Sequence, residues 1–156
     1  MSATAHILAF AAAPHRLPAS VRGDALRLLG DTLAGGAAGV GAPGEAAILA
    51  AARAMGSGSE ARLIGSDERL PAAAAAFVNA YRIHCLEWDA VHEPAVVHAM
   101  SVVTAALGAV IDRRGGCDGD EALTALAVGV DVASGLGLAA RSPLRFFRPA
   151  TAGVVG

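Results

Sequence analysis

A chain of 156 residues is long enough for one domain with a real core, and 54% hydrophobic against 17% charged residues excludes a disordered chain. The net charge of −2 provides no basic face of the kind that binds nucleic acid. Two cysteines, Cys85 and Cys117, supply neither a disulfide framework nor a metal-ligand spacing, and a reducing cytoplasm is the default expectation.

Aromatic residues are only 4% of the chain. A core of Ala, Leu and Val suits closely packed helices better than a sandwich of sheets, so the expected fold class is all-α, a single helical domain over residues 1–156. All 12 basic residues are arginine. Biased codon usage accounts for that, and so does a need for planar guanidinium groups that bind carboxylates.

In chain order, Met1–Ala13 reads as a short helix stopped by Pro14, and it lacks the positive leader of a signal peptide. A second helix opens at Pro18-Ala19-Ser20, with Ser20 as N-cap and Asp24 in the first turn. Val21, Ala25, Leu28, Leu29 and Leu33 recur at helical spacing and predict its buried face. Gly35-Gly36 is expected to break it. The run Gly39-Val40-Gly41-Ala42-Pro43-Gly44 has the letters of a dinucleotide fingerprint but follows a helix rather than a strand, and Pro43 removes a donor. It reads as a turn.

Glu45–Met55 predicts a third helix, residues 60–65 a brief extended segment, and Ser66-Asp67-Glu68 a turn. Pro71 starts a fourth helix that runs to about Leu86, with Phe77, Tyr81 and His84 or Cys85 on one face, the expected core face, which runs straight into the polar segment. Pro94 ends any helix before it and makes 92–98 a loop. Ser101–Arg113 is helical again. Asp118 and Glu121 form a capping box for a last helix to about Ala140. Gly129, Gly135 and Gly137 are expected to allow close helix contact there. Arg141–Pro149 reads as a loop, and Thr151–Gly156 opens a further segment that stops short, as if the chain were cut. The apolar stretches 101–111 and 122–130 fall short of the roughly 20 residues of a membrane span, so no membrane contact is expected.

Chemistry concentrates in residues 84–98, which hold three of the five histidines, three carboxylates, the only Trp and one Cys. Titratable groups crowded into an apolar chain shift one another's proton affinities, which makes the stretch a candidate acid–base site. Each residue also has a plainer reading. His84 on a helix face can be a hydrogen-bonded core residue, His92 an exposed loop residue, and Trp88 a packing anchor. His98 sits between Val96-Val97 and an apolar helix, in a buried setting.

Several segments, in order, resemble the MmgE/PrpD family, which includes 2-methylcitrate dehydratase, cis-aconitate decarboxylase and iminodisuccinate epimerase. They are Asp31-Thr32-Leu33-Ala34-Gly35, Ala75-Ala76-Phe77-Val78-Asn79 with His84, Leu86-Glu87-Trp88-Asp89 with His92 and His98, Gly116–Leu126, and Thr151–Gly156. The resemblance covers nearly the whole chain. It implies the helical core of that fold without the family's second, lid domain, cofactor-free lyase or isomerase chemistry on small polycarboxylates, and a homodimer. Residue by residue, it implies that His98 is the catalytic His and that Glu87 and Asp89 are its acidic companions. His92 and His84 fall to substrate binding. Ala90 and Val91 stand where the family has Asp and Thr, and Ala99-Met100 follows His98 where it has Pro-Ser. The lysines of the family's site lie beyond Gly156, so the chain alone is expected to be inactive. Arg82, Arg145 or Arg148 could meet substrate carboxylates. No metal is expected, because only one His/Glu helical pair is present. The alternative is a non-catalytic relative that serves as a helical dimerisation or partner-binding module.

Overall fold

A computed structural model describes residues 2–140; the readings made for Arg141, Arg145, Arg148 and Thr151–Gly156 lie outside the described residues. Six helices dominate them, joined by one small strand pair, and the all-α expectation holds. Helix α1 (Ala3–Ala12) starts where Ser2 Oγ accepts from Ala5 N at 3.2 Å, and it ends before Pro14. None of its residues is buried.

Helix α2 spans Ala19–Ala38, which corrects two expectations. Pro18, not Ser20, precedes the first turn, and no side chain caps it. The glycine pair does not break the helix; it lets α2 approach a neighbour. A Cβ on Gly36 would stand 3.1 Å from both Ile64 and Ile83, and one on Gly39, just past the helix end, would stand 2.0 Å from the Arg82 carbonyl oxygen. The buried face is therefore Ala25, Thr32 and Gly36, while Val21, Leu28 and Leu33 remain over 40% exposed. Thr32 is accommodated because its hydroxyl donates to Leu28 O at 2.7 Å.

Helix α3 (Glu45–Ala54) leads to strands β1 (Ala61–Arg62) and β2 (Arg69–Leu70), paired antiparallel with Ala61 opposite Leu70. Helix α4 (Ala72–His84) is the centre of the fold and packs on α5 (Ala99–Arg114), α2 and α3. Its buried face is Ala74, Ala75, Val78, Asn79, Arg82 and Ile83. Phe77 is 43% exposed, so the expected Phe77–Tyr81 face is not the core face. Alanines fill the interior because the helix axes come close. Ala52, Ala74 and Ala75 are fully buried, beside Val78, Leu63 and Ala109. Burying the whole Val78 or Ile83 side chain contributes roughly 1.5–3 kcal/mol each.

Two polar devices fasten this core. Asn79 Oδ1 accepts from Ile64 N and its Nδ2 donates to Arg62 O, both at 2.9 Å, so β1 is held to α4. Arg82, 3% exposed, donates through Nε to Glu45 at 2.5 Å and through its terminal nitrogen to Ile64 O. Glu45 in turn accepts from Gly41 N at 2.6 Å. Arg82 is thus committed to the interior, contrary to its expected role toward a substrate carboxylate.

Helix α6 (Gly119–Ala139) is capped by Asp118, which accepts from Asp120 N and Glu121 N, while the Glu121 carboxylate meets Arg114 at 3.4 Å instead of turning back. It packs on α5, α2 and α1. At 21 residues with mean hydropathy 1.7 it is long and apolar enough to cross a membrane, which the count over 122–130 alone did not register. Two of its glycines do allow close contact: a Cβ would come within 2.7 Å of Val103 at Gly129 and 2.8 Å of Ala95 at Gly137. Gly135 faces open space.

Candidate functional site

The site lies between the C-terminus of α4 and the N-terminus of α5. Helix α4 stops at His84 and the chain turns through Glu87, whose φ of 56° is left-handed. That turn brings Asp89 back to His84. The chain then runs into a hairpin-like loop: His92 N donates to Val97 O at 2.9 Å, and Ala95 N reaches His92 O at 3.1 Å and His92 Nδ1 at 3.2 Å. Val96, with φ 54°, is held left-handed, a costly conformation for a β-branched residue. What holds it is packing on either side. Ala95 and Val97 are buried with Ala99 and Ala133, and Ala95 sits against Gly137 of α6. His98 follows directly, as the residue before α5.

The result is two imidazoles around one carboxylate. The Asp89 side chain has no solvent exposure. His84 Nδ1 lies 3.0 and 3.2 Å from the two Asp89 oxygens. An ionised carboxylate only accepts, so this ring carries its proton on Nδ1. His98 Nδ1 stands 3.2 Å from Asp89 Oδ2 but off the line of a hydrogen bond, so this buried nitrogen has no hydrogen-bond partner. The two rings meet edge to face, with centroids 4.8 Å apart. Glu87 is outermost, 72% exposed, with Oε1 3.4 Å from His84 Nε2.

A buried carboxylate is costly unless charges or donors face it, and here the His84 ring donates to it while the His98 ring stands 3.2 Å away. The arrangement can therefore hold a proton between groups, fix a ring's tautomer, or bind a cation at converging lone pairs. The structure brings together His84, Asp89 and His98, with Glu87 at the edge. It leaves His92 apart, exposed and engaged with its own loop. Trp88 is 71% exposed and anchors nothing within the described residues. Sequence reasoning did not anticipate that one acid would serve both rings, and the signal available for it was only the local crowding. A large cleft of about 510 Å³ lies elsewhere, between α1, α2 and α6, lined by Phe10, Leu28, Leu126 and Ser134 and also by His92. It is not the His–Asp cluster. Titratable groups converge at the cluster, whereas the cleft is lined mainly by apolar side chains.

No curated protein and no solved structure gives a significant match to this chain. The family model that does match is the MmgE/PrpD N-terminal domain, over residues 6–156. A match of that extent, on a helical fold of the expected kind, shows that the chain belongs to the MmgE/PrpD family and carries its N-terminal domain.

Proposed function

We propose that this domain contributes the proton-transfer part of a lyase or isomerase site acting on small polycarboxylates, of the 2-methylcitrate dehydratase kind. The observation that carries the reading is the buried Asp89 carboxylate between His84 and His98. Dehydration, decarboxylation and epimerisation of such substrates all require a proton to move at a carbon beside a carboxylate. Imidazole titrates near neutrality and is suited to that step. With Nδ1 of His98 turned toward Asp89, the opposite ring nitrogen is the one to exchange a proton with substrate. Asp89 positions both rings, and Glu87, exposed at the rim, faces the substrate side. His92 and His84 are the candidates for substrate contact in this reading, and a cytoplasmic homodimer working without a cofactor belongs to the same proposal.

The test is ultraviolet detection of an unsaturated product from citrate-like substrates by the whole protein that carries this domain and by its His98→Gln variant. General acid–base catalysis is worth about 10²–10⁴-fold, so the variant should lose that much in kcat. Equal turnover by both proteins would remove His98 from the mechanism. A second reading, a helical module that binds a partner, is favoured by the apolar side chains left exposed on α1 and α6, among them Leu8 at 64% and Leu138 at 55%. Under it the protein would show no turnover and a concentration-dependent sedimentation coefficient.

A further inference from the structure

The His84–Asp89–His98 cluster has a property that proton transfer does not require. One donor atom from each of the three residues lies within 4.8 Å of the other two. Asp89 Oδ2 lies 3.2 Å from His84 Nδ1 and 3.2 Å from His98 Nδ1. Donors around a tetrahedral zinc ion, at roughly 2.0–2.1 Å from the metal, stand about 3.3 Å from one another. The widest pair therefore has to close by at most about 1.5 Å, which rotation of a side chain supplies. Moreover, His98 Nδ1 is buried and lacks a hydrogen-bond partner, so a lone pair or proton is left over in the centre of the cluster.

We propose that His84, Asp89 and His98 form a binding site for a divalent cation of the zinc class, each contributing one donor atom. This replaces the expectation of no metal, which rested on spacing along the chain and could not register two rings meeting across a turn. Two imidazoles and a carboxylate match the preference of zinc and its neighbours and are poorly suited to magnesium or calcium, which take oxygen. The proton balance closes locally. Binding through His84 Nδ1 shifts that ring's proton to Nε2, which faces Glu87 Oε1 at 3.4 Å. A metal-bound imidazole held from behind by a carboxylate is the usual outer arrangement at such sites. The His84 side chain is 37% exposed, so a path for the ion and a place for water as fourth ligand exist on that side. An occupied site would tie up the groups assigned above to proton transfer, so the cation would act as an inhibitor. Binding itself does not depend on that assignment.

The chain, stripped with chelator, is titrated with zinc chloride by calorimetry and with cobalt chloride by visible absorption. The expected result is one ion per chain and a cobalt spectrum of low-symmetry nitrogen and oxygen coordination. A double variant, His84→Ala with His98→Ala, should bind zinc at least about 100-fold more weakly, whereas His6→Ala on the surface should bind as the parent does. A parent chain that binds no more tightly than the double variant overturns the proposal. If the double variant loses helix content by circular dichroism, histidine ¹⁵N resonances of the parent decide. Perturbation of both His84 and His98 at one equivalent supports the site, and perturbation that spares either one overturns it. These readouts report binding without turnover, so their failure is distinguishable from failure of the enzymatic reading.

Discussion

Replacing Glu45 by Gln removes a charge from the interior and leaves Arg82 with none to face it. The pair is well enclosed, with side-chain exposures of 4% for Arg82 and 9% for Glu45, so water cannot take over the lost role. Gln keeps one oxygen and turns the other into an amide NH2, so it can accept from Gly41 N or from Arg82 Nε but not from both, and the substitution removes the charge together with one hydrogen bond. Breaking one side of a buried ion pair costs about 3–5 kcal/mol, because the remaining charge stays desolvated. A domain of this size holds only about 5–15 kcal/mol in total. At roughly 2–4 °C per kcal/mol, the melting temperature should fall by about 6–20 °C. Far-ultraviolet circular dichroism during thermal and urea unfolding measures this. The companion double variant, Glu45→Leu with Arg82→Met, replaces both charges by apolar groups and should recover most of the loss. A Glu45→Gln protein within about 1 kcal/mol of the parent would refute the argument, as would a double variant no more stable than the single one.

Glycines of α2 should separate sharply under substitution. Gly30→Ala meets nothing within 4 Å and should stabilise the helix by about 0.5–1 kcal/mol, whereas Gly39→Ala drives a methyl into the Arg82 carbonyl and should cost more than about 3 kcal/mol; similar melting temperatures for the two would contradict the close approach of α2 and α4. Acid unfolding should depend on Asp112, whose carboxyl is held below its ordinary range chiefly by the hydrogen bonds from the Arg62 guanidinium, against the opposing effect of burial. Because the folded-state value is the lower one, its contribution is present above the unfolded value near 4 and is lost as pH falls through the folded one, so Asp112→Asn should flatten the stability curve below about pH 4; an unchanged acid limb would exclude this linkage.

Local chemistry was legible where it decides the matter alone. Pro14, Asp118 and the helical period placed α1 and α6 almost at their observed ends, and Pro94 marked the loop. The errors share a physical origin: burial depends on which helix comes alongside, and that is not local. Leu28, Phe77 and Trp88 were read as interior because they are large and apolar, yet α4 is approached so closely that alanine and glycine took the interior positions. Gly35-Gly36 reads from the sequence as a helix break, whereas Gly36 is room for Ile64 and Ile83. Arg82 reads from the sequence as a candidate for substrate carboxylates, and its distance of 37 positions from Glu45 conceals the buried pairing. For the site, residues 84–98 were identifiable by crowding. Sequence spacing did not show that the left-handed turn at Glu87 returns Asp89 to His84, nor that the loop on α6 then delivers His98 to the same carboxylate.

That seat on α6 gives a residue 39 positions beyond His98 a say in the chemistry. Ala95 rests where Gly137 has no side chain, with 2.8 Å to spare for a methyl carbon that would need more. Were any larger residue to stand at 137, the loop would ride up, and the imidazole of His98 would lift off its carboxylate with every titratable group still in place. Descendants of this domain could thus gain or lose their acid–base couple by drift on a distant helix, and an inventory of conserved site residues would never detect it.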